Sequence, residues 1–395
     1  MSNTVGQKTC PERSRKVYVG MSGGVDSSVA ALLLKNEGYN VIGVFMKNWS
    51  DPAWPCLWQE DRADAMRVCL KLNIPFETWD FTKEYKALVV DYMLREYAVG
   101  RTPNPDVMCN KEIKFGLFFE KAISLGADYI ATGHYARVAR EFPIFNFQFS
   151  NSNKLKAKSY KLLRARYLDK DQSYFLWTLK QKQLAKCLFP IGEIDSKAEV
   201  RKLAKGAGLS TANKKDSQGI CFMGPVDIKE FIKPYVKKEI GDIVTTSGQK
   251  IGTHAGLYFY TIGQRKGIGI GGTGPYYVAK KDYETNTLIV SPITDMSALE
   301  SKELIATNVS FINNDTPSIR SYARCTKEES EKLVKIQASI RYRQEPISAM
   351  LSKLESGPSS ARWKVVFEKP VRAVASGQSV VFYQGEELLG GGVIE

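Results

Sequence analysis

Histidine is nearly absent, with only His134 and His254 among 395 residues. The seven cysteines (Cys10, Cys56, Cys69, Cys109, Cys187, Cys221, Cys325) contain no Cys-x-x-Cys pair. The two scarcities together speak against a structural zinc site. An odd number of cysteines at long spacings is no disulfide framework either, and a reducing cytoplasm is the expected compartment. A functional cysteine there is a reactive thiol. No apolar run approaches the ~20 residues that span a bilayer, so an integral membrane protein is not expected. The first fifteen residues lack the apolar centre of a secretory signal, and Glu12 argues against a transit peptide.

The composition is that of a globular chain, with 43% hydrophobic and 25% charged residues, which excludes collagen-like, mucin-like and wholly disordered classes. The length predicts two or three domains. Charge is unbalanced: 56 Lys and Arg against 42 Asp and Glu give a net +14. Between Lys154 and Lys215 stand 16 basic and 5 acidic residues. Such a block suits a polyanion (nucleic acid, an anionic membrane or an acidic protein), or it is a solvated surface.

The first half alternates strand and helix. Strands are predicted at Lys16 to Met21, Val41 to Met46, Phe76 to Trp79 and Tyr129 to Thr132. Helices are predicted at Val25 to Asn36, closed by Gly38, and at Glu60 to Leu72, Lys83 to Tyr97 and Glu112 to Leu125. That rhythm means an α/β domain with a parallel sheet covered on both faces, whose ligands bind beyond the carboxyl ends of the strands. From about Gly224 short β-rich runs take over: Leu257 to Ile262, Tyr276 to Ala279 and Leu288 to Val290, then Ala338 to Tyr342, Trp363 to Phe367 and Ser379 to Tyr383. The expected division is a catalytic domain over 1–223, a small central domain over 224–297 and a β-barrel or sandwich over 298–395. Phe142 to Ser159 reads as an inserted loop or hairpin.

Ser22-Gly23-Gly24-Val25-Asp26-Ser27-Ser28 lies between the first strand and the first helix. Glycines let the backbone approach an anion, serines add hydroxyls, and the helix N-terminus offers N–H groups and a positive dipole end. The loop lacks the GK[ST] ending of phosphoryl-transfer NTPases and is not GxGxxG, so neither of those readings applies. Two further loops carry thiols. Pro103-Asn104-Pro105-Asp106-Val107-Met108-Cys109-Asn110 is stiffened by its prolines. Asn110 is placed to cap a helix starting near Lys111, which would set Cys109 beside a helix N-terminus, where a thiolate is favoured. Asp106 is near enough to serve as acid or base. Asp216-Ser217-Gln218-Gly219-Ile220-Cys221-Phe222 follows Lys214 and Lys215, and basic neighbours help a thiolate form. For both cysteines the alternative is a buried small side chain.

The first loop resembles the SGGxDS signature of PP-loop ATP pyrophosphatases. The ordered set GMSGGVDSS, VFMKNW, PNPDVMCN, ATGHYAR, KDQSYFLW, DSQGICF, YTIGQRKG and ASGQ, running from Gly20 to Gln378, is similar to that of the tRNA-specific 2-thiouridylases. The resemblance implies ATP, with Mg²⁺, at Gly20, Met21, Ser22, Gly23, Gly24, Val25, Asp26 and Ser27, with Met46 and Gly133 bordering the adenosine. For Met46 the alternative is core packing. It implies adenylation of the C2 oxygen of the wobble uridine in tRNA for Glu, Gln or Lys. Sulfur would then come from a persulfide on Cys221, charged by a sulfur-carrier protein or cysteine desulfurase relay. Cys109 would be the second thiol, leaving a Cys109–Cys221 disulfide, and Asp106 the acid or base. Asn104, Pro105 and Asp106 would meet the flipped base. His134, Lys170, Asp171, Gln172, Arg341, Tyr342 and Gln378 would contact tRNA, with a structural histidine, a solvated charged turn or ordinary surface as the alternatives. Two rival functions stay open: another PP-loop adenylating ligase, and a non-catalytic tRNA-binding protein.

Overall fold

Four strands alternating with helices build the first sheet, in a computed structural model that describes residues 14–49, 58–141, 159–216, 228–236, 239–270, 274–313, 333–354 and 361–395. They are β1 (Lys16–Gly20), β2 (Asn40–Lys47), β3 (Phe76–Asp80) and β4 (Tyr129–Thr132). Helix α1 (Val25–Asn36) follows β1, and Gly38 at φ +83° ends it, as expected. Helix α2 (Trp58–Leu72) follows β2. The β-branched runs are buried on both faces: Val17, Val19, Val41 and Phe45 enter one core, and Tyr18, Ile42, Val44 and Ile130 the other.

A hairpin comes next, β5 (Ala136–Glu141) against β6 (Ser159–Arg164), paired from Ala136↔Arg164 to Glu141↔Ser159. Residues 142–158, most of the expected insertion, lie outside the described residues. Strand β7 (Cys187–Leu188) then completes the parallel sheet in the order β3-β2-β1-β4-β7. The chain runs from β1 to β2 and β3, then crosses back to β4 on the other side of β1. The carboxyl ends of β1 and β4 therefore border the topological switch point, where sheets of this kind bind ligands.

Two helices differ from expectation. The Lys83 to Tyr97 helix is Thr82–Tyr85, a wider π-helical segment Lys86–Val90, and Asp91–Ala98. The extra residue in the turn lets Tyr85, Val89, Val90 and Met93 all reach the core. The next helix begins at Pro105, not near Lys111, as Pro105–Met108, a π-helical Cys109–Leu117 and Phe118–Ser124. Proline has its φ preset for the first helical position, and Asn104 Oδ1 accepts from Val107 N at 3.2 Å. Asn104 is thus the cap. Asn110 is buried inside the helix, with Nδ2 3.4 Å from Phe175 O.

The central sheet has order β10-β11-β8-β9, from β8 (Gly241–Thr245), β9 (Lys250–His254), β10 (Tyr276–Asp282) and β11 (Thr287–Pro292). Leu257 to Ile262 is not a strand. Gly256 at φ +150° breaks the run, and a 3₁₀ turn Leu257–Phe259 tucks Leu257 and Tyr260 into a small core with Ile243, Val278 and Val290.

The last sheet is a closed barrel rather than a sandwich. Its strands are β12 (Glu300–Phe311), β13 (Val334–Ser339), β14 (Ile347–Lys353), β15 (Trp363–Arg372), β16 (Ser379–Gln384) and β17 (Glu387–Ile394). They run β12-β15-β14-β13-β16-β17, and β12 pairs with β17 to close the ring. Of Ala338 to Tyr342 only Ala338 and Ser339 are strand, because Ser339 Oγ donates to Arg341 O and Gln344 O and turns the chain. The β5–β6 hairpin extends this barrel sheet through Leu162↔Leu388. Trp177 reaches Ser379 Oγ at 3.1 Å, and a Cβ on Gly391 would sit 2.8 Å from its ring, so that glycine permits close docking.

Candidate functional site

The loop after β1 is organised to present backbone N–H groups. Gly24, extended at ψ 166°, precedes α1, and the first bond of the helical ladder runs from Ser28 N to Gly24 O at 3.3 Å. The N–H groups of Val25, Asp26 and Ser27 therefore precede the ladder. Ser27 and Ser28 turn their hydroxyls back onto Gly24 O, at 3.1 and 2.7 Å, and Ser22 N donates to Ser27 Oγ at 3.1 Å. Ser22 itself is exposed. Gly23 has φ +75°, and a Cβ there would overlap the Asp61 backbone of α2. On the other side, a Cβ on Gly133 would lie 2.6 Å from Ser27 N. Met46 Cε lies over Gly20, 3.0 Å from where its Cβ would be. Gly20, the loop, Met46 and Gly133 are thus one cradle at the switch point, and its donor set fits nucleotide phosphates.

Sequence reading missed the partners of Asp26. Lys197 Nζ is 2.8 Å from both its carboxylate oxygens, and Tyr135 Oη donates to Oδ1 at 2.8 Å. Burial, then the Asp26 charge, raise the Tyr135 pKa, so the phenol stays a donor. Lys197 Nζ is also 2.9 Å from Asp216, which takes Lys170 at 2.8 Å and Arg201 at 3.0 Å. Burial alone would raise the Asp216 carboxyl, but hydrogen bonds from Lys170 and Lys197 outweigh it and hold it at about 2. Nothing around Lys197 in sequence marks it. Asp216 could have been suspected from its place in the DSQGICF string. Among the described residues no three Asp, Glu, His or Cys side chains gather as a metal cluster. Mg²⁺ carried with nucleotide phosphates needs only one or two carboxylates, and Asp26 is the carboxylate of the loop.

The three described cysteines, Cys69, Cys109 and Cys187, are all buried. Burial pushes Cys69 up to about 12 and raises Cys187 also, so both are inert. Cys109 is 1% exposed at the start of the π-helical segment, one turn beyond Asp106. Cys221 lies outside the described residues. Lys214, two residues before Asp216, is tied at 2.6 Å to both Asp61 and Asp64 of α2. Asp216, the last described residue before the cysteine of the DSQGICF string, is thereby held beside the phosphate loop.

The residues expected to touch tRNA divide. His134 is 7% exposed, with Nδ1 2.7 Å from Thr132 Oγ1, packed between Phe115 and Phe189. Burial, then the Lys114 charge, push its pKa well below 6.5, so the ring is neutral. Asp171 is buried and accepts from Ala165 N, Ser173 N and Ser173 Oγ, while Gln172 Oε1 accepts from Tyr135 N. Gln378 Nε2 donates to Thr102 O and Pro103 O, at 2.9 and 3.2 Å. Lys170 and Arg341 line a cleft of about 450 Å³ between the 164–171 turn and the barrel's 339–346 turn, with Arg164 and Arg343, which sequence reading missed. Tyr342 packs on Phe175 at 4.6 Å. Asp169, Asp171 and Glu345 line the same cleft, and Arg164 is paired with Asp171 and Glu345, so its cations stand among carboxylates beside aromatic rings.

A parallel sheet with a serine-glycine phosphate cradle at its switch point, and a thiol-bearing helix, defines a nucleotide-binding α/β protein. The family model described as "tRNA methyl transferase HUP domain" matches residues 15–225, "tRNA methyl transferase PRC-barrel domain" matches 229–292, and "Aminomethyltransferase beta-barrel domain" matches 301–394. The tRNA-specific 2-thiouridylase MnmA of Geobacillus thermodenitrificans is 49% identical over 383 residues, covering 96% of this chain and 94% of that protein. Those of Bacillus licheniformis and Bacillus subtilis are 49% and 47% identical, each over 98% of this chain and 96% of theirs. The chain belongs to the tRNA-specific 2-thiouridylase family.

Proposed function

We propose that this protein is a tRNA-uridine 2-sulfurtransferase. An amide-like oxygen is a poor leaving group and AMP a good one. Transfer of AMP from ATP to the C2 oxygen of uridine-34, with release of pyrophosphate, therefore prepares C2 for attack. The N–H groups of Val25, Asp26 and Ser27 would receive the phosphates, and Asp26 would be the residue to hold Mg²⁺, which would offset phosphate charge. Asn104, Pro105 and Asp106 meet the base, with Asp106 as acid or base. The terminal sulfur of a Cys221 persulfide bonds to C2 as the C2–O bond to AMP breaks. Cys109 attacks the sulfur of Cys221, leaving a Cys109–Cys221 disulfide that a thiol reductant resets. Arg341, Tyr342 and Lys170, with Arg164 and Arg343, take the anticodon arm. The substrates are tRNAs of the Glu, Gln and Lys type, sulfur arrives from a carrier protein or desulfurase relay, and the reaction runs in the cytoplasm. Among the described residues no helix is long and apolar enough to cross a membrane.

The observation that carries this reading is the ionic chain Asp26–Lys197–Asp216, which joins the phosphate cradle to the root of the segment bearing Cys221. The test is to incubate the full chain with ATP, Mg²⁺, a persulfide donor and unmodified tRNA, and to read 2-thiouridine by mass spectrometry and pyrophosphate by coupled assay. Both products are expected, and Cys221→Ser should abolish the first. Thiolation that survives Cys221→Ser or Cys109→Ser overturns the two-thiol scheme. Pyrophosphate without thiolation favours a different adenylating ligase. Tight tRNA binding without pyrophosphate favours a non-catalytic binder.

A further inference from the structure

The segment that leads into the Cys109 helix is held from outside its own domain. The helix Asp91–Ala98 ends at Gly100, φ +77°, where Gly100 N bonds Tyr97 O and Arg101 N bonds Glu96 O. The Gly100 carbonyl then accepts two donors from the central domain: Lys281 Nζ at 2.6 Å and Tyr283 Oη at 2.8 Å. Lys281 Nζ also donates to Tyr260 O at 3.1 Å. A Cβ on Gly100 would overlap the Tyr283 hydroxyl, so the contact needs glycine. Thr102 Oγ1 meets Thr261 Oγ1 of the same domain at 3.1 Å.

The barrel takes the next backbone groups. Thr102 N donates to Ser376 O at 2.8 Å, and Gln378 Nε2 takes the carbonyls of Thr102 and Pro103. One residue further on, Asn104 caps the helix that carries Asp106 and Cys109. From Gly100 to Pro103 three carbonyls, one N–H and one hydroxyl are held by two other domains, and the helix bearing Asp106 and Cys109 begins directly after. Burial lowers the Lys281 pKa to about 8, as expected for an amine set to serve backbone carbonyls rather than a carboxylate.

We propose that Lys281 and Tyr283 are positioning residues for Asp106 and Cys109. The central domain, which holds neither the nucleotide cradle nor a reacting group, sets where the catalytic helix begins. The inference rests on the sulfurtransferase reading above. Its logic is geometric: a group displaced by about 1 Å from its reacting position loses about a hundredfold in rate, while a phosphate cradle on β1, β2 and β4 is untouched.

The experiment uses the full chain with ATP, Mg²⁺, a persulfide donor, a thiol reductant and unmodified tRNA. Lys281→Met should lower kcat about ten- to a hundredfold. KM for tRNA and calorimetric Kd for ATP should stay within twofold, and Lys281→Arg, which keeps N–H donors, should recover most of the rate. Tyr283→Phe removes one hydroxyl from a half-exposed ring, so it preserves the fold and should lower kcat in the same direction. The proposal is overturned if KM for tRNA rises and its salt dependence flattens, since that marks a phosphate contact. It is equally overturned if kcat, ATP affinity and melting temperature fall together in both variants, or if kcat does not change. Wild-type protein that makes no 2-thiouridine would instead sink the reading on which it rests.

Discussion

Two glycines of the nucleotide cradle should respond very unequally to the same added methyl group. A Cβ on Gly133 would stand 2.6 Å from Ser27 N and 2.7 Å from Asp26 C. Those are backbone atoms at the start of α1, fixed by the buried Ser27, Ser28 and Val29 behind them. Restoring an ordinary contact of about 3.4–4 Å requires β4 and α1 to part by about 1 Å. Overpacking of that kind costs about 1–3 kcal/mol, or roughly 2–12 °C of melting temperature for a domain of this size. The parting occurs at the mouth of the cradle, so ATP affinity should drop by at least about tenfold. Gly20→Ala places its Cβ 3.0 Å from Met46 Cε, with Ala131 O and Thr132 Cγ2 at 3.8 Å. The close atom is the end of a flexible thioether, which can rotate aside. Its stability change should stay within about 0.5 kcal/mol, and ATP should bind within about threefold of wild type. Thermal melts and calorimetric titration with ATP decide it. A Gly133→Ala protein with wild-type melting and affinity, or a Gly20→Ala protein as impaired as Gly133→Ala, would refute the reasoning.

Asp216 makes an acid-pH prediction. Its folded pKa of about 2 lies below the ordinary 3.8, so its contribution is complete above about 4 and is lost as pH falls toward 2. The urea midpoint of wild type should exceed that of Asp216→Asn by a constant amount at pH 5–7 and converge with it between pH 4 and 2; a gap independent of pH contradicts the ion-pair assignment. Asn104→Ala should cost about 1 kcal/mol in chemical denaturation through the lost helix cap. Asn104→Asp keeps the cap and should keep that stability, so thiolation lost in both variants at equal tRNA affinity isolates the base contact.

How much was legible beforehand differs from residue to residue. The extent of α1 and its stop at Gly38 could be read because amphipathic period, β-branched runs and glycine conformation are properties of ten or so neighbouring residues. The start of the Pro105 helix is ambiguous for an equally local reason: Asn104 and Asn110 are both competent caps, and the proline that decides between them serves equally well as a loop stiffener. The barrel's closure was not readable, since β12 pairing with β17 joins residues some 80 positions apart through an alternation common to sandwiches and barrels.

The sequence alone determined the glycine-serine loop and the parallel sheet beneath it, because each is written in contiguous residues whose conformation is locally set. Only the tertiary structure decided what those groups are tied to. Asp26 meets Lys197 across 171 positions, Gly100 meets Lys281 across 181, and Thr102 meets Gln378 across 276. No local propensity encodes such pairings. They arise when the packed domains bring a carboxylate, a helix-end carbonyl and a strut of backbone against side chains that satisfy them.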